Sequence, residues 1–125
     1  MTEYLELEDL LAAADTALGQ RAEVRDVGLL QASAARPRAT AFGEEAYPTL
    51  DEKAAALLHS LVTGHPLVDG NKRLGWVAVR LFYRLNETDV RPTADEAFDL
   101  IVGVADGTLR DVRVIAERLA SWRTP

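Results

Sequence analysis

An all-α domain is predicted, with about six helices arranged around one central buried helix. Three observations predict it. Apolar residues recur at helical spacing through most of the chain, as in Leu50, Ala54, Leu57, Leu58, Leu61 and Val62. Strand-like alternation is almost confined to Tyr4-Leu5-Glu6-Leu7. The run from Leu74 to Leu85 is apolar nearly all round, and such a helix is usually central.

The elements follow in order. After a short extended lead-in at Tyr4–Leu7, the positions Leu7, Leu10, Leu11, Ala14, Ala17 and Leu18 keep helical spacing, and Gly19 fits the stop. Asp26 is placed to cap a short helix from Val27 to Ala35, which Arg36-Pro37 would end. Arg36 to Pro48 is polar and irregular, with Pro37, Gly43 and Pro48 as breakers. Its length and place before the next helix suit either a connector or a flap that docks a target segment; we favour the flap, with Phe42 and Tyr47 packing inward or holding a peptide. Thr49 and Glu52 form a capping-box pattern, and Gly64 ends that helix. The central helix spans about 72–86. Thr93 and Glu96 form a second box, opening a helix with Ala97, Phe98, Ile101, Val102 and Ala105 inward and Gly107 at its end. Thr108 is expected to cap a last helix, striped by Val112, Ile115, Ala116, Leu119 and Trp122. Trp76 and Trp122 are read as core residues.

Composition narrows the function classes. A chain of 125 residues, 48% of them hydrophobic, suggests one domain, residues 1–125, with a substantial core. With no cysteine and only two histidines, disulfides and a structural zinc site are not expected. The net charge of −6 argues against direct nucleic-acid binding, although Lys72, Arg73, Arg80 and Arg84 leave room for a local basic site. The acidic start lacks the basic region of a signal peptide, and no apolar run approaches the roughly 18–20 residues of a membrane span. A cytoplasmic protein without membrane partners is expected.

The chemistry is concentrated between residues 65 and 73, read His65-Pro66-Leu67-Val68-Asp69-Gly70-Asn71-Lys72-Arg73. A helix begins here, and the free N–H groups and dipole of a helix start favour an anion. Lys72 and Arg73 oppose the dipole unless an anion is present, so the broken local rule points to function. Asp69 could place Mg²⁺, which reaches phosphates through one or two carboxylates. His65 could take a proton from an attacking hydroxyl. Asp69-Gly70-Asn71 alone would be only a good turn. His59, mid-helix among leucines, is read as structural; Arg84 is ambiguous and could simply pair with Glu87 at the surface; Arg80, two turns beyond Arg73, is an even choice between phosphate contact and structure.

This stretch resembles the signature of the Fic superfamily, His-x-Phe-x-(Asp/Glu)-Gly-Asn-x-Arg, and its Asn71-Lys72-Arg73 ending resembles the death-on-curing (Doc) branch. The likeness extends to Leu29, Leu30, Gln31 and Ser33, to Ala35-Arg36-Pro37, to Tyr47-Pro48, to Glu52 through Ser60, and to Gly103 through Gly107. The resemblance implies an all-α, Fic-like bundle and a toxin that transfers part of ATP to a protein hydroxyl with Mg²⁺. It implies His65 as general base, Asp69 as metal ligand, and Gly70, Asn71, Lys72 and Arg73 as phosphate-binding. For the Doc branch it further implies kinase-type transfer to elongation factor Tu and control by a separately encoded antitoxin, whose C-terminal segment blocks the toxin.

Three departures matter. Leu67 stands where many members have Phe; it should still be buried but fill less volume. Leu74 stands where Thr is common. Lys72 stands where AMP-transferring members typically have a second Gly. The inhibitory pattern Ser/Thr-x-x-x-Glu-(Gly/Asn) is not convincingly present, since Thr40 to Glu44 is followed by Glu45. The leading reading is therefore a Doc-type toxin kinase. The runners-up are AMP transfer and an inactive, antitoxin-binding module.

Overall fold

The apolar run beyond residue 70 becomes the helix on which the others pack. The computed structural model describes residues 1–125. Its helices are α1 (Leu7–Leu18), α2 (Val27–Ala35), α3 (Leu50–Gly64), α4 (Asn71–Leu85), α5 (Ala94–Ala105) and α6 (Val112–Ser121). The expected six-helix bundle is present. α4 buries Leu74, Gly75, Ala78, Val79, Phe82 and Tyr83 and lies chiefly against α3 and α1. A Cβ at Gly75 would stand 2.7 Å from Val62 Cγ2, so this glycine lets α3 and α4 approach closely. Residues Tyr4–Glu6 precede α1 and form no strand; Glu6, the residue that caps α1, is extended.

Local capping signals set most helix starts. The Asp26 carboxylate accepts from Leu29 N–H, and Thr93 and Glu96 exchange both bonds of a capping box. Thr49 accepts from Glu52 N–H, but its hydroxyl also donates to the Glu52 carboxylate. The last helix departs from expectation. Asp111, which accepts from Arg113 N–H, caps it instead of Thr108. Thr108 lies in the preceding turn and donates its N–H to Asp106.

Two further corrections concern faces. α5 turns Leu100, Ile101 and Val104 inward, while Phe98 and Ala105 are exposed, Phe98 to 66%. Trp76 and Trp122 are half-buried, not core. Spacing alone allowed the α5 stripe to be placed one register off, because apolar residues occupy adjacent positions along it.

The irregular stretch contains a 3₁₀ turn at Arg36–Arg38 and a small antiparallel hairpin, β1 (Thr40–Ala41) with β2 (Glu44–Glu45). Phe42 and Gly43 both have positive φ, 55° and 80°, as a two-residue hairpin turn requires. Phe42 is fully exposed at the tip instead of packing inward. Strands this short carry no readable alternation, and Phe is an uncommon residue for the first turn position. Two cations tie the hairpin's return limb to α3. Buried Lys53 pairs with Glu45 at 3.0 Å and donates to the Tyr47 carbonyl. Arg36 donates to Tyr47 Oη at 3.0 Å and reaches His59 Nδ1 at 2.9 Å. His59 is thus the hydrogen-bonded structural residue expected; burial and the Arg36 guanidinium lower its pKa.

Arg80 is structural. It forks onto Asp89 at 3.1 and 2.8 Å, and Arg84 joins the same carboxylate at 3.3 Å rather than pairing with Glu87. The Arg80 guanidinium is the main cause holding the Asp89 carboxyl well below its ordinary range, and Val90 N–H adds to it. Asp89→Ala is expected to cost about 2–3 kcal/mol, since it leaves a part-buried Arg80 unpaired. A lowered folded pKa means the contribution is full above the unfolded carboxylate range and fades as pH falls below about 4. Urea unfolding of both proteins at several pH values checks this. The stability gap should be constant near neutrality and close in acid; a gap that widens in acid would refute the assignment.

Candidate functional site

The segment from His65 to Gly70 joins the end of α3 to the start of α4, and the sequence dictates each bend. Gly64 is the last helical residue. The left-handed position that closes α3 falls on His65, with φ 54° and ψ 56°, not on the glycine. Pro66 follows and cannot continue a helix. Leu67 is only 1% exposed, so it anchors the loop in the core as expected of that position. Asn71, itself buried, accepts from Leu67 N–H at 2.9 Å and donates back to Leu67 O at 3.0 Å. Gly70 takes φ 86°, and a Cβ there would stand 2.3 Å from Leu18 Cδ2. Glycine takes this φ without steric cost and leaves Leu18 undisturbed.

The loop packs against residues 23–26 along its outer side. Val24 bridges Leu67, Val68 N–H donates to Glu23 O, and Pro66 O accepts from the N–H groups of Arg25 and Asp26. The loop is therefore held from within by Asn71 and from without by a strand-like segment before α2.

Val68, His65, Asp69, Gly70, Asn71, Lys72 and Arg73 line one concavity of about 330 Å³. All six residues proposed from the sequence thus lie around one space. Gly70 N–H donates to its neighbour Asp69 Oδ1 at 2.9 Å. The next three N–H groups, of Asn71, Lys72 and Arg73, have no acceptor in the protein and belong to the first turn of α4. No side chain caps this helix start. Lys72 and Arg73 are exposed and form no ion pair with a carboxylate. Three unpaired donors, the helix dipole and two cations concentrate positive potential on this concavity.

The six residues differ in what they leave free. The Asn71 side chain is occupied with Leu67, so only its backbone N–H is unpaired. His65 is exposed, and its ring has no partner in the protein. Asp69 is exposed, with one oxygen engaged by Gly70 N–H. No cluster of three or more His, Cys, Asp or Glu side chains could hold a metal. A divalent cation here would be held by Asp69 together with phosphate oxygens, which is the usual manner of Mg²⁺.

Two features near the site carried no sequence signal. Arg25, forty residues before His65, donates to the His65 carbonyl at 2.7 Å and to the Gly64 carbonyl at 3.0 Å. Phe98 joins Trp76, Val77, Ile101 and Val102 in an apolar groove that also touches Lys72 and Arg73. Both arise from packing between separate elements.

Comparison with known proteins places these observations. A family model described as the Fic/DOC family matches residues 4–83. The chain is also 48% identical over 124 residues to Toxin Doc of Mycolicibacterium smegmatis, an alignment covering 98% of this chain and 95% of that protein. No helix is long and apolar enough to cross a membrane.

Proposed function

This chain belongs to the Fic/DOC family, and from that premise we propose that it is a Doc-type toxin transferring the γ-phosphoryl group of ATP to a Ser or Thr hydroxyl of a protein. The observation that carries this is the start of α4. Three free N–H groups and the cations Lys72 and Arg73 stand there, with His65 on the same concavity. Phosphoryl transfer asks mainly for positioning and charge stabilisation, which such a site supplies.

In this mechanism the N–H groups of Asn71, Lys72 and Arg73 hold the phosphates. Lys72 draws the terminal phosphate. His65 takes the proton as the target oxygen bonds to the γ-phosphorus and the bond to the bridging β–γ oxygen breaks, releasing ADP. Mg²⁺, when held by Asp69 and the phosphates, would neutralise charge on them. The fit of Asp69 to this task is testable. Asp69→Asn is expected to raise the Mg²⁺ concentration needed for half-maximal rate and to lower the rate. An unchanged Mg²⁺ titration at unchanged activity would place the metal elsewhere.

Elongation factor Tu is the target we propose, on the resemblance to the Doc branch. Mass spectrometry of cell protein after induced expression tests both target and chemistry. A phosphate adduct on one protein supports the kinase, whereas an AMP adduct supports nucleotidyl transfer. No adduct, with arrest unchanged in His65→Ala, would favour the inactive binding module.

Control is proposed to come from a separately encoded antitoxin. Two concavities meet at Trp76 and Val77, one between α1 and α4 and the other reaching α5. Together they form an apolar trough with Lys72 and Arg73, which have no carboxylate partner, at one end, and Arg80 and Arg84, already paired with Asp89, towards the other. An amphipathic helix carrying carboxylates would match it, and would cover Lys72 and Arg73 when seated. Co-expression with adjacent open reading frames should restore growth, and binding should show a negative heat-capacity change. Failure of every neighbour to co-purify or restore growth would count against control in trans.

A further inference from the structure

We infer that Arg25 is a positioning residue for His65: its guanidinium grips the two peptide groups that flank this histidine and so sets the direction in which the side chain leaves the backbone. The inference rests on His65 being the proton acceptor of the proposed reaction. The geometry itself is independent of that reading.

The need for such a grip begins with the sequence His65-Pro66. A helix that closes through a left-handed residue usually satisfies its last carbonyls by backbone N–H groups of the next two residues. Here the second of these is Pro66, which has no N–H. The left-handed position is filled by His65, a residue with a Cβ, at φ 54°. This conformation is sparsely populated for such residues and persists only where the surroundings hold it.

Arg25 supplies the hold. Its Nε donates to His65 O at 2.7 Å and its Nη2 to Gly64 O at 3.0 Å. The Gly64 carbonyl belongs to the peptide before the His65 Cα, and the His65 carbonyl to the peptide after it. Fixing both planes fixes φ and ψ of His65, and with them the Cα–Cβ direction. The fork is rigid and planar, so one side chain holds both acceptors at once. A cation at the C-terminus of α3 is also favoured by its dipole. Arg25 is itself located by the backbone, because its own N–H donates to Pro66 O at 2.8 Å. No other side chain bonds to either carbonyl.

The molecule provides its own control for the test. It has only two histidines, His65 at the site and His59 in the Arg36 network. We would record the imidazole NMR signals of the full chain for wild type, Arg25→Ala and Arg25→Lys. The His65 signals should shift or broaden in Arg25→Ala while those of His59 stay in place. In a desalted lysate of a susceptible bacterium with γ-labelled ATP, kcat should fall roughly 10–100-fold, with KM for ATP within about twofold. Arg25→Lys keeps the charge but cannot fork, so it should recover only a minor part of the rate. It also serves as the variant to read if Arg25→Ala disturbs the His59 signals. An unmoved His65 signal with unchanged kcat, or full rate in Arg25→Lys, would overturn the role of Arg25. A displaced His65 signal without any phosphate transfer by wild type would leave this role standing and overturn the kinase.

Discussion

His65→Ala is expected to fold as the wild type does and to lose both growth arrest and phosphate transfer. The ring of His65 has no partner in the protein and is exposed, so its removal vacates no core volume and strands no buried group. The left-handed backbone at this position suits alanine somewhat less well than histidine, a modest cost, and Arg25 still grips both flanking carbonyls. Helicity and unfolding temperature should therefore change little. The chemistry should change greatly. The only other histidine is committed to Arg36, and no other base lines the concavity except Asp69, which the mechanism assigns to the metal. Loss of a general base costs about 10²–10⁴-fold in rate. Circular dichroism, thermal unfolding and growth curves at matched expression provide the check. Complete growth arrest by folded His65→Ala protein would remove this mechanism.

The second large effect concerns Lys72. A glycine at the second residue of α4 would let a phosphate lie against the helix start. Lysine places a long stem and an ammonium there, exposed and free of any carboxylate partner. A nucleotide would thus be kept from packing as in members with the second glycine, and charge would be added where a terminal phosphate is drawn. The γ-phosphorus, not the α-phosphorus, is expected to face His65. Label from γ-labelled ATP should reach the target, and label from α-labelled ATP should not. Lys72→Gly should lower phosphate transfer roughly 10²-fold, the scale for losing one group that stabilises developing charge. The reverse labelling pattern would make the protein an AMP transferase.

Much of this was legible in the residues because it is local. A cap acts within three residues, as Asp26 does on Leu29 and Thr93 on Glu96. A helix stripe repeats within four. The site motif is also local: His65, Asp69 and the three residues that open α4 lie within nine positions, and one loop brings them around one space. The buried Leu67 and the structural His59 were legible for the same reason.

Other features were not. The helical period narrowed α5 to two adjacent faces, and only its contact with the bundle left Phe98 outside. Arg80 and Arg84 share a face with Arg73, yet the carboxylate that takes them, Asp89, lies beyond the helix end. Asn71 fitted a phosphate role, and the fold turned its amide onto Leu67.

By itself, then, the chain determined the six helices, the positions of most of their ends, and the identity and crowding of the chemical groups at one helix start. Periodicity, capping and turn chemistry act over a few residues and need no partner. The tertiary structure alone decided which faces are covered, which cations are spent on Asp89 and which remain free at Lys72 and Arg73. It also brought Arg25 to His65 across forty residues. Those outcomes depend on which elements meet, and the free energy that selects the meeting comes from burying apolar surface around α4. That driving force is non-directional, so the polar pairings it creates are not inscribed in any local pattern.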